Sequence, residues 1–226
     1  MAISWPIVDT VTKAVIFDLD GTLVNTEPTY QAAWRRAFLP LGIELRVEDF
    51  QRVMGLRPDE TARSFLDRYS KPGDATELAN VVLEDVQSNP NRTLMPGAVH
   101  AIELARDVGL RVAVATASPP PSARISLAGA GLAHYFDVVA STDGELFGKP
   151  HPAVFLTAAA RIGIDPFDCV VIEDAPNGVV AAKAARMGCI VVPHATHRDD
   201  RVWAIADVVL ESLSDLTVDH LSTNRA

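Results

Sequence analysis

The sequence predicts an α/β fold with a doubly wound parallel sheet and an inserted helical module. Short runs rich in β-branched residues recur along the chain, and they are continuously apolar, which is typical of strands covered on both faces. Helical segments lie between most of these runs, and this alternation indicates parallel strands joined by right-handed crossovers. One interval, of about ninety residues, is far longer than a single crossover requires.

The elements of the sheet domain follow from these patterns. Helices are predicted over 96–109, 151–163 and 177–188, each with glycine at its end, and the run SPPPS at 118–122 is interpreted as a loop. The predicted strands, in chain order, are 13–18, 111–116, 137–141, 169–174, 189–193 and 207–210.

The long interval after the first strand has helical periodicity of its own. Tyr30, Trp34 and Phe38 are spaced as on one helix face, and Pro28 stands near the start of that helix. We therefore expect a sheet domain formed by 1–27 and 93–226, with a helical module over 28–92 inserted after the first strand. Further helices are expected in the module at 47–54, 58–70 and 74–88.

Composition limits the classes of partner. The chain has 20 basic and 29 acidic residues among 226, a net charge of −9, which argues against nucleic acid and against anionic membranes. No uncharged apolar run approaches the roughly 20 residues of a membrane span, and the first residues do not resemble a signal peptide. We expect a cytoplasmic protein whose two cysteines, Cys169 and Cys189, are reduced and buried.

Polar residues follow four of the predicted strands, at the edge where open α/β sheets bind ligands. They comprise carboxylates, hydroxyls and one lysine: Asp18, Asp20, Thr116, Ser118, Lys149, Glu173 and Asp174. Any one of them has an ordinary explanation as a polar strand end, but the whole set points to a functional site.

This set of residues suits phosphoryl transfer. A carboxylate is ionised at pH 7 and attacks phosphorus without a partner base, so Asp18 and Asp20 can serve as nucleophile and proton carrier. Several acids facing a phosphate dianion need a hard cation, and Mg²⁺ fits. Lys149 supplies a compact positive charge, and Thr116 with nearby backbone N–H groups can hold phosphate oxygens.

Four segments of the chain resemble the motifs of the haloacid dehalogenase superfamily of phosphohydrolases. DLDGT, TAS, GKPHP and EDAPNG occur in the family's order and spacing, and the insertion resembles its helical cap over a Rossmann-like core. The resemblance implies how these residues would bind the substrate and the metal. Thr116 and Lys149 would bind the phosphoryl group, Asp174 would bind Mg²⁺ with Asp18 and the Asp20 carbonyl, and Glu173 would support the metal. Gly21, Ala117 and Ser118 would contact the substrate.

The same resemblance implies the reaction, in which Asp18 forms an aspartyl-phosphate and Asp20 acts as acid and then base. Within the superfamily the chain is most similar to the β-phosphoglucomutase-like subgroup, and there to the 2-deoxyglucose-6-phosphate and hexitol phosphatases. Tyr30 stands where the mutase has a catalytic histidine, and Pro119 stands where it has lysine, so water is the expected acceptor. The cap is expected to choose the substrate, with Arg57 and Glu27 as its contacts.

Alternatives remain at this point. A phosphosugar mutase is one, and a receiver-type signalling domain that keeps its phosphoryl group is another. The expected partner is a small phosphorylated metabolite, and the expected assembly is a monomer. His194 and His197, in the segment HATHRDD, are expected to be surface residues.

Overall fold

The computed structural model describes residues 12–89, 92–194 and 201–222. Within them a sheet of six parallel strands has the order β5-β4-β1-β6-β7-β8. β1 lies in the middle of this sheet, between β4 and β6, both of which follow it in the sequence. The strands are β1 (Ala14–Phe17), β4 (Arg111–Thr116), β5 (Val139–Ser141), β6 (Cys169–Glu173), β7 (Gly188–Val191) and β8 (Val208–Val209).

Helices cover both faces of the sheet, which confirms the predicted doubly wound fold. Val15 and Phe17 of β1 point into the core on one face, and Ala14 and Ile16 point into the core on the other. All four side chains are fully buried, which explains why the strand is continuously apolar. The first face is covered by α5 (Ala98–Asp107), α6 (Pro120–Gly129) and α9 (Val218–Leu221), and the second by α7 (Ala153–Ile162) and α8 (Pro176–Ala184).

Two details differ from the sequence prediction. The run at 118–122 is not all loop, because α6 begins at Pro120. Proline is well accommodated in the first helical turn, where its missing N–H has no partner to lose. The helix predicted over 177–188 ends at Ala184, and Gly188 belongs to β7.

The helical insertion lies between two short strands, β2 (Val24–Asn25) and β3 (Thr93–Leu94), which pair antiparallel. Its aromatic side chains form a core separate from the sheet, with Phe65 packed edge-on against Trp34, Phe38 and Phe50. Its helices are α1 (Glu27–Phe38), α2 (Val47–Gln51), α3 (Pro58–Arg68) and α4 (Ala75–Ser88).

Short 3₁₀ turns complete the described elements, at Leu39–Leu41, Ala133–Tyr135, Pro166–Asp168, Arg201–Ile205 and Leu213–Asp215. Cys169 and Cys189 are buried and unbridged, as predicted. Across the described ranges, every helix is too short or too polar to traverse a bilayer.

Candidate active site

The carboxyl edge of the sheet forms the floor of a pocket, and the helical insertion lines its other side. The Asp18 N–H donates to the Ile172 carbonyl at 2.9 Å, which fixes this carboxylate beside the end of β6. Most of the predicted site residues line the pocket: Asp18, Asp20, Gly21, Glu27, Thr116, Ala117, Ser118, Glu173 and Asp174.

Lys149 lies beneath the pocket floor and joins two of these carboxylates. Its Nζ donates to Asp18 Oδ1 at 2.5 Å, to Glu173 Oε1 at 2.7 Å and to the Ala115 carbonyl at 3.3 Å. The residue is only 1% exposed. Burial alone would lower the pKa of Lys149, but the Asp18 and Glu173 carboxylates outweigh it and hold the pKa above its ordinary value. The lysine is therefore a fixed cation in contact with Asp18.

Glu173 is occupied at both carboxylate oxygens. Oε1 accepts from Lys149, and Oε2 accepts the N–H groups of Asp174 and Ala175 at 2.9 and 3.0 Å. A methyl group on Gly178, in the following helix, would lie 1.7 Å from Glu173 Oε1, so this position has no room for a side chain. The geometry makes Glu173 a residue that positions Lys149 and the turn carrying Asp174.

Three buried carboxylates, Asp18, Glu173 and Asp174, place one oxygen each within 4.8 Å of one another. Asp174 Oδ1 accepts from the Thr22 hydroxyl at 3.3 Å, whereas Oδ2 is buried without a hydrogen-bond partner in the described structure. Burial, with the neighbouring carboxylates, raises the pKa of both Asp18 and Asp174. An unpartnered buried oxygen in an all-carboxylate cluster fits a hard divalent cation, so these residues suit a magnesium ion.

Gly21 makes room for this cluster. Its φ of +89° is a conformation that side-chain-bearing residues rarely adopt, and a Cβ here would lie 2.3 Å from Asp174 Oδ2. Glycine is therefore required at this position of the DLDGT motif, both for the backbone conformation and because there is no room for a side chain.

Asp20 belongs to a second set of hydrogen bonds, with hydroxyl groups. Its Oδ2 accepts from Thr116 Oγ1 at 3.1 Å and from Ser118 Oγ at 2.8 Å, and its Oδ1 is buried without a hydrogen-bond partner. The Tyr30 hydroxyl lies 3.3 Å from Ser118 Oγ, and burial together with the Asp20 carboxylate raises the pKa of Tyr30. The sequence indicates Tyr30 as part of a helix face and as a departure from the mutase pattern, and the structure brings it to the site.

Glu27 and His194 meet at the pocket, which the sequence did not predict. Glu27 Oε1 accepts from Gln31 Nε2 at 2.7 Å, and Oε2 is paired with His194 Nε2. The prediction that His194 is a surface residue is wrong: its side chain is 17% exposed and lines the pocket. Its N–H donates to the Asp174 carbonyl at 3.2 Å, which turns the chain after β7 toward the carboxyl edge. His197 lies outside the described residues.

Arg57 does not line the pocket, although its neighbours Leu56 and Pro58 do. Its guanidinium donates to Glu60 Oε1 at 3.2 Å and to the Glu145 carbonyl at 3.4 Å, and its N–H donates to Glu60 Oε2 at 3.0 Å. Arg57 is thus held at the start of α3, where it joins the insertion to the 145–148 loop. A substrate contact by Arg57 stays a prediction.

Apolar side chains of the insertion line the rest of the pocket. The group comprises Trp34, Phe50, Val53, Met54 and Leu56. The Asn177 side chain, at the start of α8, donates to the Met54 carbonyl at 2.9 Å. This bond fixes the apolar wall against the strand edge that carries the carboxylates.

The family model of haloacid dehalogenase-like hydrolases matches residues 12–186. The chain belongs to this family. It is 36% identical to hexitol phosphatase B of Escherichia coli, over 92% of this chain and 96% of that protein. It is 35% identical to the fructose-1-phosphate phosphatase YqaB of the same organism, over 79% of this chain and 95% of that protein.

A solved structure supports the same assignment. The fold matches CbbY from Rhodobacter sphaeroides in complex with phosphate with a TM-score of 0.84 at 28% identity, covering 94% of this chain and all of that chain. The enzyme class predicted from the sequence, a phosphomonoester hydrolase, is confirmed by the family and by the two phosphatase relatives.

Proposed function

We propose that the protein is a Mg²⁺-dependent phosphatase that hydrolyses sugar or hexitol monophosphates through an aspartyl-phosphate. The observation that carries this proposal is the contact between Lys149 and Asp18 at a pocket where Asp20 and Asp174 each have one buried oxygen without a hydrogen-bond partner in the described structure. The phosphoryl acceptor, the phosphate-binding cation and the proton carrier are thereby in one place. The hexitol and fructose-1-phosphate phosphatases among the relatives support the substrate class.

In the first half of the proposed reaction, the Asp18 carboxylate attacks phosphorus and the ester oxygen leaves as an alcohol. Asp20 gives a proton to that oxygen, and its unpartnered Oδ1 is the atom suited to hold it. In the second half Asp20 takes a proton from water, and the water attacks the aspartyl-phosphate to release inorganic phosphate. The Lys149 cation opposes the rise that burial causes in the pKa of Asp18, and it would offset the phosphoryl charge.

Asp18, Asp174 and the Asp20 backbone carbonyl are the groups that would hold Mg²⁺. When bound, the ion supplies positive charge that offsets the repulsion between the carboxylates and the phosphate dianion. Thr116, Ala117 and Ser118 lie at the carboxyl end of β4 and line the pocket, where their hydroxyl and N–H groups would donate to the remaining phosphate oxygens.

The insertion over 28–92 is proposed to act as a cap that closes on the substrate and excludes bulk water. Two features support this role. Its apolar residues line the pocket, and the β2–β3 ribbon is the connection through which the module could move as a body.

Asp18→Asn tests the proposal. It removes the nucleophile while keeping the shape of the side chain, so we expect an unchanged circular dichroism spectrum and a loss of fructose 1-phosphate hydrolysis on the order of 10³-fold or more. Asp168→Asn is a matched control, because that carboxylate pairs with Lys13 away from the pocket. Comparable activity in Asp18→Asn and in the control would refute the role of Asp18.

The same assay addresses the alternatives. Incubation with a hexose 1-phosphate should release free phosphate, whereas a mutase would accumulate an isomeric sugar phosphate. A phosphoryl-aspartate that persists for minutes with Mg²⁺ present would favour a receiver-type role. We expect this intermediate to be hydrolysed within that time instead.

A further inference from the structure

A chain of hydroxyl groups leads from the insertion to Asp20. The Tyr30 hydroxyl, on α1, lies 3.3 Å from Ser118 Oγ, and Ser118 Oγ lies 2.8 Å from Asp20 Oδ2. The Thr116 hydroxyl lies 3.1 Å from the same carboxylate oxygen. Thr116 and Ser118 are buried, and Tyr30 lines the pocket. Side chains of the insertion and of the sheet domain are therefore connected at one oxygen of Asp20.

The direction of each hydrogen bond follows from the donors that are available. An ionised carboxylate only accepts, so the single hydroxyl hydrogens of Ser118 and Thr116 both point to Asp20 Oδ2. The Tyr30 hydroxyl then donates to Ser118 Oγ, because Ser118 has no second hydrogen to give. Burial, together with the Asp20 carboxylate, raises the pKa of Tyr30, so this hydroxyl keeps its proton and remains a donor.

The two hydroxyls that donate to Asp20 also have partners on their acceptor side. Thr116 Oγ1 accepts the Ser118 N–H at 3.0 Å, and Ser118 Oγ accepts from Tyr30. A hydroxyl that accepts one bond and donates another has a defined rotation, so both hydrogens stay directed at Oδ2. The other oxygen of Asp20, Oδ1, is buried without a hydrogen-bond partner in the described structure. The hydroxyls thus hold one carboxylate oxygen and leave the other available for a proton.

We propose that Tyr30 is a positioning residue for Asp20, acting through Ser118 to fix the rotation of the carboxylate so that Oδ1 serves the leaving oxygen of the ester. This inference rests on the proposed phosphatase function and names the residue of the insertion that supports its proton transfer. In the proposed step the Oδ1 proton passes to the ester oxygen and Asp20 becomes a carboxylate. Tyr30 and Ser118 keep their own hydrogens throughout.

Two phosphate esters with different leaving groups separate this role from a general effect on the pocket. Fructose 1-phosphate has to leave as a protonated alcohol, whereas 4-nitrophenyl phosphate releases a phenolate that needs no proton. Tyr30→Phe removes one hydroxyl and keeps the ring. We expect it to lower kcat/KM about tenfold for fructose 1-phosphate and less than about twofold for 4-nitrophenyl phosphate. A purely structural role of Tyr30 would lower both values by the same factor.

Tyr69→Phe is the matched control, because it makes the same change in the same insertion. The Tyr69 hydroxyl donates to Asp49 Oδ2 at 2.7 Å, and Tyr69 is not among the residues that line the pocket. This control should leave the ratio of the two kcat/KM values unchanged, and circular dichroism checks the fold of each variant.

Ser118→Ala tests the route from Tyr30 to Asp20. Loss of a phosphate contact at Ser118 affects both esters equally and cancels in the ratio of their kcat/KM values, so the ratio should fall by a factor similar to that in Tyr30→Phe. In the Ser118→Ala background, adding Tyr30→Phe should change the ratio less than about twofold, because the connection to Asp20 is already lost.

The outcomes distinguish this inference from the proposed function. An equal loss of kcat/KM for both esters in Tyr30→Phe, or an undiminished effect of Tyr30→Phe in the Ser118→Ala background, would overturn the inference and leave the phosphatase proposal in place. A wild-type enzyme that hydrolyses neither ester, or only the aryl ester, would overturn the proposed hydrolysis of sugar phosphates and the inference with it.

Discussion

Gly178→Ala is expected to have two opposite effects on stability. One comes from the higher helix propensity of alanine in α8, and the other from the disturbance of the buried charges at the site. Position 178 lies inside α8 with ordinary helical backbone, and alanine there would by itself stabilise the helix by about 0.5–1 kcal/mol. However, the new methyl group would stand 1.7 Å from Glu173 Oε1 and 1.9 Å from its Cδ. Glu173 is 1% exposed and has no open space to enter, so it must give up its bond to Lys149.

The expected loss of stability follows from the buried charges of Glu173 and Lys149, which no longer contact each other. A buried ion pair that loses one partner typically costs about 3–5 kcal/mol, which exceeds the helix gain. We therefore expect Gly178→Ala to lower the free energy of unfolding by about 2–4 kcal/mol and to abolish most activity, because Lys149 is no longer held against Asp18.

Urea unfolding followed by circular dichroism, together with phosphate release from fructose 1-phosphate, measures both effects. Val180→Ala, on the exposed side of the same helix, is the control and should change the free energy of unfolding by no more than about 0.5 kcal/mol. If Gly178→Ala is as stable and active as that control, the network between Glu173 and Lys149 is not what positions the site.

Two further substitutions test charges in each part of the molecule. Lys149→Met leaves the Asp18 and Glu173 carboxylates facing each other without a cation. We therefore expect the free energy of unfolding, measured with urea, to fall by about 3–5 kcal/mol and turnover to be lost. Unaltered stability would contradict this. In the insertion, burial alone would raise the pKa of Asp49, but bonds from the Tyr69 hydroxyl and a backbone N–H, with the Arg68 guanidinium, hold it below its ordinary value. Its stabilisation is therefore present above pH ~4 and is lost as pH falls through the lowered folded pKa. Asp49→Asn should cost about 1–3 kcal/mol at pH 7 and progressively less in acid, and a pH-independent difference would refute the charge argument.

The sheet was predictable because its signals are local. Each strand of the core is buried on both faces, so a continuous apolar run such as that of β1 marks it without knowledge of its neighbours. The sequence prediction places a loop at the prolines of 118–122, but Pro120 occupies the first turn of α6, where proline is compatible with a helix.

The carboxyl edge was also predictable, since parallel strands bring their ends to one side whatever lies between them. Asp18, Thr116 and Glu173 are far apart in the chain, yet strand register alone places them together. The contact of His194 with Glu27 has no comparable signal. It depends on how the chain after β7 folds back on the edge, and a lone histidine in a polar segment does not reveal that path.

Arg57 shows why a substrate contact in the insertion is harder to predict from sequence than a residue at a strand end. A cation in a loop above a phosphate site suggests a substrate contact, but the residue also precedes a proline at a helix start, with Glu60 three positions on. That local pattern gives the guanidinium partners at Glu60 and at the Glu145 carbonyl, while its Nε is buried without a hydrogen-bond partner in the described structure. The chemistry of the site is set by strand ends, which sequence register specifies, whereas selectivity depends on which side chains of the insertion have no better partner than the substrate.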